Sequence, residues 1–233
     1  MSSEPDPASS APTDADVSGT AGSLPDAVET LVAALGERST LAVSRAKRIR
    51  SIVRAFDRHT GGFGDQVVAA AGVAGAGLGT LDEDMLERHL TGGPLSSGDL
   101  VQLDAVPAAT RRLLEGSIPD PEVIELAMEA FPLDPYAAGE PAPSEGSALI
   151  RIAGCIDLLE RRGVQPADVP AELRRCEHLD QEIAGDLLAR VYLPGKELMA
   201  DVGPIDEIDF TDSDVDTEAA EAGHGPNNTI DLG

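Results

Sequence analysis

RAKRIRSIVRAFDR, residues 45–58, holds six of the chain's seventeen lysines and arginines, in a protein whose formal net charge is −25. At about 100° per residue, Lys47, Arg50, Arg54 and Arg58 share one face of a helix, while Ile49, Ile52, Val53 and Phe56 share another at the i, i+3, i+4, i+7 spacing of a buried stripe. The segment reads as an amphipathic helix with a cationic outer surface. Such a surface fits a phosphate backbone, an acidic protein partner or the chain's own acidic tail, and the residues alone leave the three open.

Working outward, Ser23-Leu24-Pro25-Asp26 has the form of a helix start: a capping hydroxyl, a proline in the first turn and a carboxylate three residues on. Val28, Leu31, Val32 and Leu35 supply that helix's apolar face, Gly36 its stop, and Ser39 or Thr40 a cap for the next. Seven glycines lie between 61 and 79, where a short helix over 65–74 is followed by a turn. Further helices are predicted over 81–90, over 100–114 as one or two pieces around Pro107, and over 121–131. Residues 135–146 read as a Pro/Gly-rich linker. Beyond it, Leu149, Ile152, Ile156 and Leu159 form one stripe and Leu173, Cys176, Ile183, Leu187 and Val191 another, predicting an antiparallel helical hairpin in 147–202.

Aromatic residues are only 3 % of the chain and there is no tryptophan, so the core has to be built from Leu, Ile, Val and Ala. That suits helices joined by short turns better than aromatic-rich strands. The expected fold is all-α, with two small helical units (23–134 and 147–202) between acidic tails at 1–22 and 203–233. The tails have the low-hydrophobicity composition of disordered segments. Residues 203–233 carry nine acids and no lysine or arginine, with Ile205, Ile208 and Phe210 among the carboxylates in the manner of segments that dock apolar anchors on a partner.

The segment 25–202 is itself acidic, with 29 acids against 17 bases, which disfavours non-specific binding to nucleic acid or anionic membrane everywhere except the 45–58 stripe. Lys47 and Lys196 are the only lysines; with so many acids, adaptation to a salt-rich cytoplasm is one expected source of the charge. Two cysteines, Cys155 and Cys176, make no disulfide framework. No signal peptide opens the chain, and the weakly apolar run 67–81 is too short and glycine-rich to cross a bilayer. A cytoplasmic protein without membrane contact is expected.

The glycine-rich stretch lacks Gly-Lys-Ser/Thr and GxGxxG spacing, so it reads as a flexible loop or as close packing through small residues rather than a phosphate cradle. Cys155, Cys176 and His178 could be metal ligands, but both cysteines lie on apolar helix faces, where a thiol behaves as a small hydrophobe. The pairs Asp82/Glu83 and Asp157/Glu160 read as solvated helix faces. No G-x-S-x-G or HExxH element organises a nucleophile or a base. No cofactor, metal or catalytic residue is predicted.

Residues 95–135, LSSGDLVQLDAVPAATRRLLEGSIPDPEVIELAMEAFPLDP, resemble the later helices of Cro/lambda-repressor-like helix-turn-helix regulators: a short turn, a basic helix, a glycine and a Pro-led helix. The resemblance covers less than a fifth of the chain. It implies a DNA-reading helix carrying Arg111 and Arg112, but Asp104 and Arg111 fall where such motifs bury apolar side chains, and Val101 replaces the usual small alanine.

The expected function is therefore that of a non-enzymatic regulatory or adaptor protein working through protein–protein contacts. Its binding residues would be Lys47, Arg50, Arg54 and Arg58, together with Ile205, Ile208 and Phe210. A helix-turn-helix-like DNA-binding regulator is the alternative.

Overall fold

Seven helices begin on a side chain that accepts hydrogen bonds from otherwise unpaired first-turn amides, which is the physical reason the breaks fall where they do. In a computed structural model that describes residues 23–192, these caps are Ser23, Ser39, Asp82, Ser96, Asp120, Ser144 and Asp180. They open α1 (Leu24–Gly36), α2 (Thr40–Thr60), α4 (Glu83–Thr91), α5 (Ser97–Asp104), α7 (Pro121–Glu129), α8 (Glu145–Arg161) and α10 (Gln181–Leu187). Between them lie α3 (Gly64–Val73), α6 (Val106–Ser117) and α9 (Val169–Arg174), with a 3-10 turn at Ala76–Thr80 and a π turn at Leu188–Tyr192. No strand occurs among the described residues. The expected tails, and with them Ile205, Ile208 and Phe210, lie outside the described residues.

Helix α8 forms the axis. Every residue from Gly146 to Leu159 is buried, so α8 is enclosed on all sides rather than laying one stripe on a neighbour. Helices α2, α3, α4, α7, α9 and α10 pack around it. Of the segments 23–134 and 147–202, expected as two units, residues 23–134 and 147–192 are described, and both contribute to one continuous core running from Val28 to Tyr192. A smaller cluster of Ala42, Leu78, Leu86, Leu90, Val106 and Leu158 sits beneath α4 and α6.

The hairpin expected from the 173–191 stripe is not formed. Its residues are split among α9, a turn at 175–180, α10 and the π turn. The split is stabilised by Gln181, whose side-chain amide donates to the carbonyls of Leu173, Cys176 and Leu179, and by Asp180, which caps α10. The apolar positions are nonetheless buried or half-buried.

Of the two readings of the glycine-rich stretch, close packing is the one found. Residues 67–73 are all buried, and Gly77 lets the 3-10 turn touch α6. Thr110 Oγ1 accepts from the Gly77 amide and donates to the Val106 carbonyl, both at 2.9 Å. A Cβ on Gly77 would run into that carbonyl and stand 2.5 Å from Thr110 Oγ1. Gly77→Ala is therefore expected to cost about 3 kcal/mol through overpacking and the lost hydrogen bond, read as a lowered urea midpoint with an unchanged m-value.

Candidate interaction site

The cations of α2 divide by the direction they point. Arg45 enters the core with a 2 % exposed side chain, and its Nη1 donates to Asp157 Oδ2 of α8 at 2.6 Å. Its Nη2 donates to the carbonyls of Leu133 and Gly154 at 2.9 and 3.2 Å. Arg161 Nε donates to both oxygens of the same aspartate, and its Nη2 to Ser44 Oγ. Arg48 donates to Glu160 at 2.8 Å, and Tyr192 Oη donates to the other oxygen of that carboxylate at 3.0 Å. Burial pushes the Tyr192 hydroxyl pKa up, and the Glu160 charge adds to that rise.

Asp157 and Glu160 are thus not a solvated face. They are the acidic half of an internal layer, because α8 is enclosed where its sequence looks amphipathic. Asp82 and Glu83 are likewise structural: Asp82 caps α4, and Glu83 accepts from Thr40 Oγ1 and the Leu41 amide at the start of α2.

The four residues of the sequence stripe take graded positions. Arg54 and Arg58 are exposed; Lys47 and Arg50 are half-buried. Arg50 lies against α3, where a Cβ on Gly72 would come 3.1 Å from its Cδ, so that glycine makes room for the arginine stem. Burial, then the Arg54 charge, lower the Arg50 pKa from its ordinary value, while Glu29 of α1 acts in the opposite direction.

Because only Glu37, Arg38 and Ser39 separate α1 from α2, the two helices lie side by side. They leave a groove of about 370 Å³ lined by Glu29, Val32, Ala33 and Gly36 of α1 and by Val43 and Lys47 of α2. Lys47 borders it, and Arg54 and Arg58 continue one and two further stretches of seven and four residues along α2. Neither exposed arginine makes a hydrogen bond or ion pair with a described residue.

The segment that resembles a helix-turn-helix packs differently from that motif. Helix α5 buries none of its residues, with Leu100 51 % and Val101 69 % exposed, and Asp104 is exposed too. Only Ala105 separates α5 from α6. Helix α6 turns Val106, Thr110 and Leu114 inward, while Arg111 is engaged by Glu125 at 3.0 Å and Glu115 at 3.8 Å. Arg112 remains exposed. A duplex would meet one uncommitted cation on α6 beside the acids of α7.

Cys155 and Cys176 are free and buried. Burial pushes both thiols up, the environment of a small hydrophobe rather than of an activated thiolate. No cluster of three or more metal-ligating side chains occurs among the described residues.

Two polar residues that the sequence reading passed over organise the interior. Arg151, 3 % exposed, donates to the carbonyls of Glu129, Ala130 and Phe131 at the end of α7 and to those of Glu140 and His178. Asp134 accepts from Arg162 at 2.9 Å, and the Arg162 guanidinium lies 5.4 Å from the centre of the Tyr136 ring. The available signal was a charged residue inside an apolar run, as Arg151 and Asp157 are in 148–159.

The same layer sets a pH response. Burial, followed by the Arg45 charge, holds His89 at about 4, below the ordinary histidine value near 6.5. The unfolded chain therefore binds this proton more tightly than the folded one, so the contribution is intact above pH 6.5 and is lost as pH falls toward 4. It amounts to at most about 3 kcal/mol. Urea unfolding at pH 7 and pH 4.5 should show a steeper acid loss for the native chain than for His89→Gln.

Against this geometry, no protein-family model, curated protein or solved structure gives a match.

Proposed function

We propose that the chain is a non-enzymatic regulatory or adaptor protein whose α1–α2 groove receives an acidic segment carrying apolar anchors. One observation carries the reading: an apolar channel floored by Val32 and Val43, with Lys47 on its edge, lies along the helix that carries exposed Arg54 and Arg58, on a protein of net charge −25. The apolar floor supplies burial, and the cations choose an acidic ligand and repel basic ones. No described helix is long and apolar enough to cross a membrane; a cytoplasmic location is part of the proposal.

The test is titration of the full chain with a labelled peptide of alternating acidic and apolar residues, beside a labelled DNA duplex. The peptide is expected to bind with an affinity that falls as salt rises, and Arg54→Glu/Arg58→Glu should weaken it at least tenfold. The fold should survive the reversal, because exposed charges contribute little to stability. Duplex binding with a log K against log salt slope of about −3.6, the value for four phosphate contacts, would replace this reading with the DNA-binding one.

A further inference from the structure

We propose that residues 203–216 of the same chain occupy the α1–α2 groove, so that the surface is covered from within until an outside acidic segment displaces them. This rests on the groove being the binding surface. It names the first occupant and makes the site regulated.

Three observations point to that occupant. The described residues end beside α2: the π turn at Leu188–Tyr192 packs on α2, and Tyr192 donates to the Glu160 carboxylate that Arg48 also grips. Ile205 follows thirteen residues after Tyr192, a covalent span of up to about 45 Å. Arg48 and Arg58 are separated by about 15 Å of helix, so the connection is more than long enough.

Charge also selects the place. Residues 203–216 contain Asp206, Glu207, Asp209, Asp212, Asp214 and Asp216 with no lysine or arginine, and Ile205, Ile208 and Phe210 stand among them. Two further grooves among the described residues suit them less. The one between α1 and the end of α6 is lined by Asp26 and Glu115, which would repel the segment. The one between α9 and α10 has Arg174 and no carboxylate in its lining, against Lys47 and Glu29 in the α1–α2 groove, so the choice between these two rests on exposed Arg54 and Arg58 farther along α2. The α1–α2 groove has Lys47 on its edge and Arg54 and Arg58 beyond, and its one carboxylate, Glu29, already acts on Arg50. Tethering makes the contact intramolecular, at an effective concentration in the millimolar range, so weak intrinsic affinity is sufficient to cover the groove.

The experiment places a spin label on Glu37→Cys in the full chain. That position is exposed at the end of α1 outside the groove lining, and buried Cys155 and Cys176 do not compete for the reagent. Amide signals of 205–215 should lose more than half their intensity relative to the reduced label and regain it in Arg54→Glu/Arg58→Glu. In parallel, the labelled acidic peptide should bind Ile205→Ser/Ile208→Ser/Phe210→Ser at least tenfold more tightly than the native chain.

Unchanged amide intensities, with equal peptide affinity for the native and triply substituted chains, would overturn the internal occupant while leaving the adaptor reading standing. Unchanged intensities with no peptide binding to either chain would remove both. Intensity loss reversed by the arginine substitutions, with no peptide bound by the triple variant, would support the internal contact and overturn the external partner.

Discussion

Arg151→Met is expected to lower the unfolding free energy by about 3–5 kcal/mol, a large share of the about 5–15 kcal/mol typical of a domain. The arginine has no carboxylate partner among the described residues; its work is to satisfy carbonyls. It donates to the three that close α7 and to those of Glu140 and His178, which tie the 135–146 segment and the turn after α9 to the central helix. Methionine fills similar space and removes the burial cost that lowers the arginine's pKa, yet leaves those acceptors unpaired in a dry interior. Arg151→Lys should recover only part of the loss, because an ammonium lacks the planar fork. Urea unfolding of the three proteins provides the check, and a loss under about 1 kcal/mol in Arg151→Met would show that the carbonyls find other donors.

Asp157→Asn should be comparably costly, at about 3–5 kcal/mol, because it strands Arg45 as a buried charge without its counter-ion. Removing both partners is a different matter. Arg45→Met/Asp157→Leu replaces the pair with apolar groups, and such exchanges are often nearly neutral. The double variant is therefore expected to be more stable than Asp157→Asn by at least about 2 kcal/mol, with Arg161 keeping its hydrogen bond to Ser44. Chemical denaturation of the native chain, Arg45→Met, Asp157→Leu and the double variant closes the cycle, with Asp157→Asn measured beside them. Strict additivity would show that the two residues do not act as a pair.

How much of this was legible in the sequence depended on the range of the interaction. Helix starts were readable because a cap and its amide lie within three residues: Ser23 with Asp26, and Ser39 with Ala42. The apolar stripe of Ile49, Ile52, Val53 and Phe56 was readable for the same local reason, and all four are buried. The break at 175–180 was not, because Leu173, Cys176, Ile183, Leu187 and Val191 keep a helical period across it, while the Gln181 contacts that hold the turn depend on the folded chain. The internal polar layer was least legible. Arg45 stands four residues before Ile49, on the apolar face and off the arc of Arg54 and Arg58, but its partner Asp157 lies 112 residues away, and nothing local names it. At the site, spacing grouped Lys47, Arg50, Arg54 and Arg58 on one arc, and the packing of α1 and α3 on α2 made two of them half-buried.

The enclosure of α8 orders events in time. The axis of the bundle is emitted by the ribosome after four of the helices that pack on it, α2, α3, α4 and α7, so their inner surfaces must wait for it. At about 5–20 residues per second, the interval between Arg45 and Asp157 is on the order of ten seconds. For that interval α2 has no central helix to close against, and the chain's surplus of acids over bases is expected to keep it in solution. The net charge of −25 would thus act before folding is complete, keeping unfinished chains apart while their central helix is still being made.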